Sequence, residues 1–285
     1  MALDFLKVAQ KFCASVSALA ISFTFSVSVS AHPGGHDRIM TLNEQIAHEP
    51  KNAYLVIKRA QELIQEEQNF VPAKADLDKA RSLGATESTS HEYNFVMGLY
   101  HQYQAQHPTA IEFFKRCVGL DSNHLQCYRA WAESALATGD QQTAIGVLSN
   151  FIKSSESSQT DDYFHLAQLL EKDKKPDLAL KYLDQAQARF GALPHFEKYA
   201  IRLETSQQNF TKALERHLAL KPFFGKTPQW QYEHGVLFEK LGDPAQAKLF
   251  YEQALATLGN KNKKKNKASA TLQQEIKAKL ASLKN

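Results

Sequence analysis

Cys117 and Cys127 stand ten residues apart, near enough to close a disulfide across an intervening turn. In an oxidising compartment they would pair; the alternative is two buried thiols acting as small apolar side chains, because spacing does not fix Cβ geometry. A second cluster is His32-Pro33-Gly34-Gly35-His36. If the chain were cut before His32, the new α-amine and the imidazoles of His32 and His36 would offer three nitrogens, a donor set that suits copper. The alternative is a tail whose histidines are incidental, since ligands without a preformed geometry are weak evidence of a site. Gly225-Lys226-Thr227 has the letters of a phosphate loop, but position 220 is leucine where that loop needs glycine, and Pro228 follows. G-x-S-x-G, H-E-x-x-H and C-x-x-C are all absent from the sequence. His101, His165 and His234 have no paired spacing and read as packing or surface residues. No constellation of acids, bases and nucleophiles emerges, so no catalytic activity and no cofactor is expected.

The elements that must carry these residues begin after a leader. Lys7 and Lys11 precede an uncharged stretch that runs to Ala31 and ends Val29-Ser30-Ala31, the small-residue spacing of a signal-peptidase site. Residues 1–31 therefore read as a signal peptide cut after Ala31, with a retained membrane anchor as the alternative. Cys13 follows Phe12 and does not look like a lipoprotein acylation site. No later segment is apolar enough to span a bilayer, so no membrane span is expected in the mature chain. The formal charge of +4 over 285 residues is mild, with acids and bases interleaved. It gives no reason to expect a nucleic-acid partner.

Beyond the leader, Ala, Leu, Gln, Glu and Lys abound while Gly and Pro are sparse, which favours helices. One alanine recurs: Ala247, Ala213, Ala179, Ala144 and Ala110 are separated by 34, 34, 35 and 34 residues, with Ala73 a further 37 back. Twelve residues before the better copies comes a small residue: Gly98, Ala132, Ala167 and Gly235. Four residues after comes Leu77, Phe114, Leu148, Leu183 or Tyr251; seven after comes Ala80, Cys117, Phe151, Ala186, Leu220 or Ala254. Thr138-Gly139-Asp140 and Leu241-Gly242-Asp243-Pro244 punctuate the middle of their copies, glycine ending one helix and the next residues starting another.

This periodicity resembles the tetratricopeptide repeat, a 34-residue pair of antiparallel helices, in six copies over residues 53–258. The fold expected is all-α: a right-handed α-solenoid in which small residues let helices A and B cross closely and each B packs on the next A. The fifth copy matches least, with one extra residue between Ala200 and Ala213 and His217 where an apolar residue belongs. Residues 32–52 form a tail and leading helix with Ile39, Leu42 and Ile46 on one face. Residues 259–285 form a basic linker and a capping helix with Leu272, Ile276, Leu280 and Leu283 inward.

The resemblance implies a non-enzymatic adaptor that holds a protein or peptide on the concave face lined by helix A, and the leader at 1–31 makes it periplasmic or secreted. Mapped onto this chain, that face comprises Phe95, Leu99, Tyr103, Arg129, Glu133, Phe164, Gln168, Tyr232 and Val236. The set lacks the Lys/Asn/Arg combination of the carboxylate-clamp members, so a chaperone C-terminal tail is not the expected ligand. Two alternatives stay open: metal handling through His32 and His36, and a self-associating structural component of the envelope.

Overall fold

The computed structural model describes residues 34–260 and 267–283, so the leader, its cut after Ala31, His32 and most of the basic linker lie outside the described residues. Those residues form fifteen helices and no strand. A leading helix, α1 (Gly35–His48), is followed by six antiparallel pairs. They are α2 (Ala53–Gln65) with α3 (Phe70–Ser82), α4 (His91–Tyr103) with α5 (His107–Leu120), and α6 (Leu125–Ala137) with α7 (Gln141–Ser154). Next come α8 (Thr160–Lys172) with α9 (Pro176–Phe190) and α10 (Pro194–Ser206) with α11 (Phe210–Ala219). A four-residue helix, α12 (Lys221–Phe224), intervenes before α13 (Pro228–Lys240) and α14 (Pro244–Asn260); α15 (Lys267–Ser282) closes the array. Each second helix packs on its own partner and on the first helix of the next pair, while α1 lies on α2 and α15 on α14.

The repeated alanines make this stacking possible. Ala73, Ala110, Ala144, Ala179, Ala213 and Ala247 are all completely buried. A Cβ added at Gly98 would stand 2.3 Å from the Phe114 ring, and one at Gly235 would stand 2.7 Å from Tyr251. Within each pair the chain reverses through one residue with positive φ: Gln68, Ala105, Gly139, Lys174, Gln208 and Gly242. This corner recurs with the repeat, although only two copies fill it with glycine, the residue that adopts it without steric cost. Side-chain caps start several helices, with Asn52, Asp140 and Thr227 accepting backbone N–H bonds.

Among the described residues most buried apolar side chains fall in three clusters, with Ala213, Leu220, Trp230 and Leu237 outside them. The first runs from Ile39 to Ala130, the second from Tyr128 to Leu203, and the third from Ala247 to Ile276. The first two interleave on α6, which supplies Ala130 to one and Tyr128 and Ala132 to the other. At the seam before the third, Lys221-Pro222 interrupts the second helix of the fifth pair. Proline cannot donate to the helix ladder, so no bond returns from Pro222 to the Leu218 carbonyl; α11 stops at Ala219 and Pro222 sits in the first turn of α12, where its missing N–H costs nothing. Leu220, at the junction, is nevertheless buried.

Cys117, near the end of α5, is joined to Cys127, in the first turn of α6, with Cα atoms 6.3 Å apart. This covalent link ties the second pair to the third across the turn 121–124.

Candidate protein-binding groove

The first helices of successive pairs supply the face on which the sequence places binding residues. Phe95 and Leu99 are core side chains, 8% and 4% exposed; Phe95 lies against Phe114 and His124. Tyr103, Glu133 and Gln168 are exposed. Arg129 is already engaged: its Nε donates to Asp162 Oδ1 at 2.7 Å and its Nη2 to Gln159 Oε1 at 3.1 Å. Asp162 is buried and also accepts the Gln159 N–H, so the pair joins α6 to the start of α8. Phe164 is half-buried, edge-on to Tyr199 with ring centres 5.0 Å apart and tilted against Phe196 at 5.2 Å. Tyr103, Arg129 and Phe164 are thus not equivalent: one is open, one is paired and one is packed.

Tyr232 and Val236 have a different setting. They form one wall of a groove of about 460 Å³ between α13 and α10. The opposite wall comes from Lys198, Ile201, Arg202 and Thr205, with His217 and Leu220 between the walls and Glu233 also lining the groove. The α10 wall was not legible in the repeat pattern because the fifth copy is one residue out of step. The one available signal was His217 at an apolar position.

Charge around this groove is ordered by neighbours. Arg202 grips Glu171 with two 2.7 Å bonds and lies over the Tyr199 ring. Hydrogen bonding from Arg202 holds the Glu171 carboxyl below the ordinary range despite some desolvation. Tyr199 also donates to Glu171, and burial followed by that bond pushes its phenol up to about 12. Lys198 stands 4.1 Å over the Phe224 ring, a cation–π contact. Burial pushes Glu233 up, but hydrogen bonds from His217 and Gln229 outweigh it and leave the carboxyl below its usual value.

Behind the groove lies a buried stack of rings. His217 Nδ1 and His234 Nδ1 are 3.0 Å apart, and Trp230 stacks on both histidines. Trp230 Nε1 donates to the His217 carbonyl at 3.1 Å. With Glu233 accepting from His217 Nε2–H, the neutral arrangement has His234 Nδ1–H donating to His217 Nδ1. Burial, then the proximity of His217 and Lys221, pushes His234 down to about 4. These polar rings occupy the seam where the second and third apolar clusters part.

A larger cleft of about 750 Å³ lies between α9 and α11, on the side of the second helices. Its walls are charged, and Arg216 among them bonds Asp184 at 2.7 and 2.9 Å and lies within 3.6 Å of both Glu197 and Glu204. At the other end of the chain, His36 is exposed, its Nδ1 3.7 Å from Glu67 Oε1. The three-nitrogen set expected at His32 and His36 lies partly outside the described residues.

A tetratricopeptide repeat profile matches residues 231–257, covering most of α13 and α14. No curated protein matches the chain. Among solved structures, the C-terminal part of a TPR repeat-containing protein from Cytophaga hutchinsonii is similar over 84% of this chain and 94% of its own, at 17% identity and a TM-score of 0.59. The structure of Naa15/Naa10 bound to HypK-THB is similar over 89% of this chain and 37% of that one, at 13% identity and a TM-score of 0.52. YrrB, described as a TPR protein with an unusual peptide-binding site, is similar over 64% of this chain and 91% of its own, at 16% identity and a TM-score of 0.46. At these identities the two likenesses with TM-scores of 0.59 and 0.52 show the fold alone. Among the described residues no helix is long and apolar enough to cross a membrane.

Proposed function

We propose, from the premise that this chain is a tetratricopeptide repeat protein, that it is an adaptor whose principal grip on a partner is the groove between α10 and α13. The fold supports a protein-interaction scaffold in general, and proteins of this family are generally non-catalytic. The groove carries the finer reading. It combines half-buried apolar surface from Ile201, Tyr232 and Val236 with charged groups of both signs, Lys198, Arg202 and Glu233. Such a site takes a bulky apolar side chain from an extended segment, while the surrounding polar groups bind its backbone.

A displayed random-peptide library tests this. Peptides selected on the wild type should carry an apolar anchor and lose at least about tenfold in affinity on Val236→Glu, the scale of one hot-spot contact. Selected peptides that bind Val236→Glu unchanged, with that variant folded by circular dichroism, would move the working face elsewhere. Export belongs to the same proposal and rests on residues 1–31, whose basic start, uncharged run and small-residue end read as a cleavable leader. Mass spectrometry of protein from the producing cell should find His32 first; intact residues 1–31 in a membrane fraction would reverse it.

A further inference from the structure

We propose that Cys117, His124 and Cys127 form a redox-gated Zn²⁺ site, shut while the disulfide stands and open once a dithiol reduces it. One ligand atom from each of the three residues lies within 4.8 Å of the others. All three come from helix ends: Cys117 from the last turn of α5, His124 at the N-cap of α6, and Cys127 from its first turn. The His124 ring is held beside Phe95 and His91, with centroid separations of 5.1 and 5.3 Å, and its Nδ1 accepts the Cys127 N–H at 3.3 Å. The neutral ring has one lone pair, so an ion bound at Nδ1 would replace the Cys127 N–H there.

The backbone accommodates both states. Zinc–thiolate bonds of about 2.3 Å at a tetrahedral angle place two sulfurs roughly 3.8 Å apart. The 6.3 Å separation of the Cα atoms allows that spacing through rotation of the two side chains. Both cysteines are completely buried. In such surroundings Zn²⁺ with two thiolates and a neutral imidazole carries no net charge, which avoids the cost of an uncompensated buried ion. Three protein ligands would leave the fourth tetrahedral position to a water or another donor.

The chemistry balances in two steps. A small dithiol gives up two electrons and two protons and becomes a cyclic disulfide; the Cys117–Cys127 bond breaks and each sulfur takes one proton. Zn²⁺ then displaces both thiol protons to solution and remains divalent. The turn above the sulfurs is accessible, with Ser122 and Asn123 exposed.

The test uses the whole chain, reduced with a dithiol, freed of reductant without air, and titrated with Co²⁺ as the visible probe. Expected are thiolate-to-cobalt charge-transfer bands that saturate at one equivalent, bleach with Zn²⁺, and are absent from the oxidised wild type. His124→Gln should weaken binding at least about tenfold, since even outer-shell changes at metal sites cost that much. His36→Ala should leave the bands unchanged, separating this site from the N-terminal tail. Two reactive thiols in folded protein with no cobalt band, or His124→Gln with unaltered affinity, would overturn the site. A disulfide that the dithiol reduces only in unfolded chain would overturn the gate.

Discussion

Gly98 shows how little room a crossing leaves. Its missing Cβ is the space that the Phe114 ring occupies. Gly98→Ala should destabilise by about 1–3 kcal/mol through overpacking, even though alanine is the better helix former. Gly146 is also in a helix interior, but nothing lies within 4 Å of an added Cβ. Gly146→Ala should stabilise by about 0.5–1 kcal/mol, and urea denaturation of the two variants should show opposite signs. His234 supplies a pH dependence. Its folded pKa of about 4 is below the ordinary 6.5, so between those values the unfolded chain binds more protons. The associated stability is complete above about pH 6.5 and is lost as pH falls towards 4, on the order of 3 kcal/mol in all. Denaturation midpoints measured from pH 7 to 4.5 should fall in the wild type and flatten in His234→Phe. The small residues at the crossings were legible because they recur with the repeat. The histidine pair was not: His217 stood out as a polar residue in an apolar position, but its partner lies 17 residues on, beyond α12.

At the scale of elements, the decisive contacts join neighbouring repeats. Arg129 of α6 and Asp162 of α8 are 33 residues apart, about one period, yet a search for recurring apolar positions does not register a pair that occurs once. The sequence places Arg129 on an open face and so suggests that its loss would be felt in binding more than in folding. The structure reverses the expectation, because truncation would leave the Asp162 carboxylate buried without its cation. Arg129→Ala should cost about 1–3 kcal/mol of stability. Thermal melting of Arg129→Ala beside Gln168→Ala, which changes an exposed side chain on the same face, should show the loss in the first alone. The repeat pattern places Tyr232 and Val236 on the side of α13 that borders the groove because α13 keeps the register of Gly235, whereas the extra residue before Ala213 hides the facing α10 wall.

Across the whole molecule, stability should follow the three clusters rather than the six pairs. In a stacked array each repeat is held by its neighbours, so the weakest interface decides where cooperativity breaks. The first and second clusters share α6, and the disulfide lies within the first. The seam at α12 has stacked polar rings and a groove in place of continuous apolar packing. Hydrogen exchange read by mass spectrometry should therefore show α13, α14 and α15 opening together, ahead of α4 to α9. Uniform protection from α4 through α14 would contradict a weak seam.

The seam at α12 also gives the array a mechanical character. Pulled from its ends, a row of stacked units behaves as springs in series, and extension gathers in the softest one. That spring would be the joint whose two sides form the groove. A segment wedged between Ile201 and Tyr232 would set the angle of the joint, and tension across the array would widen the slot and loosen the hold. The adaptor would then grip its partner as a strain-sensitive clasp, firm when slack and releasing under load.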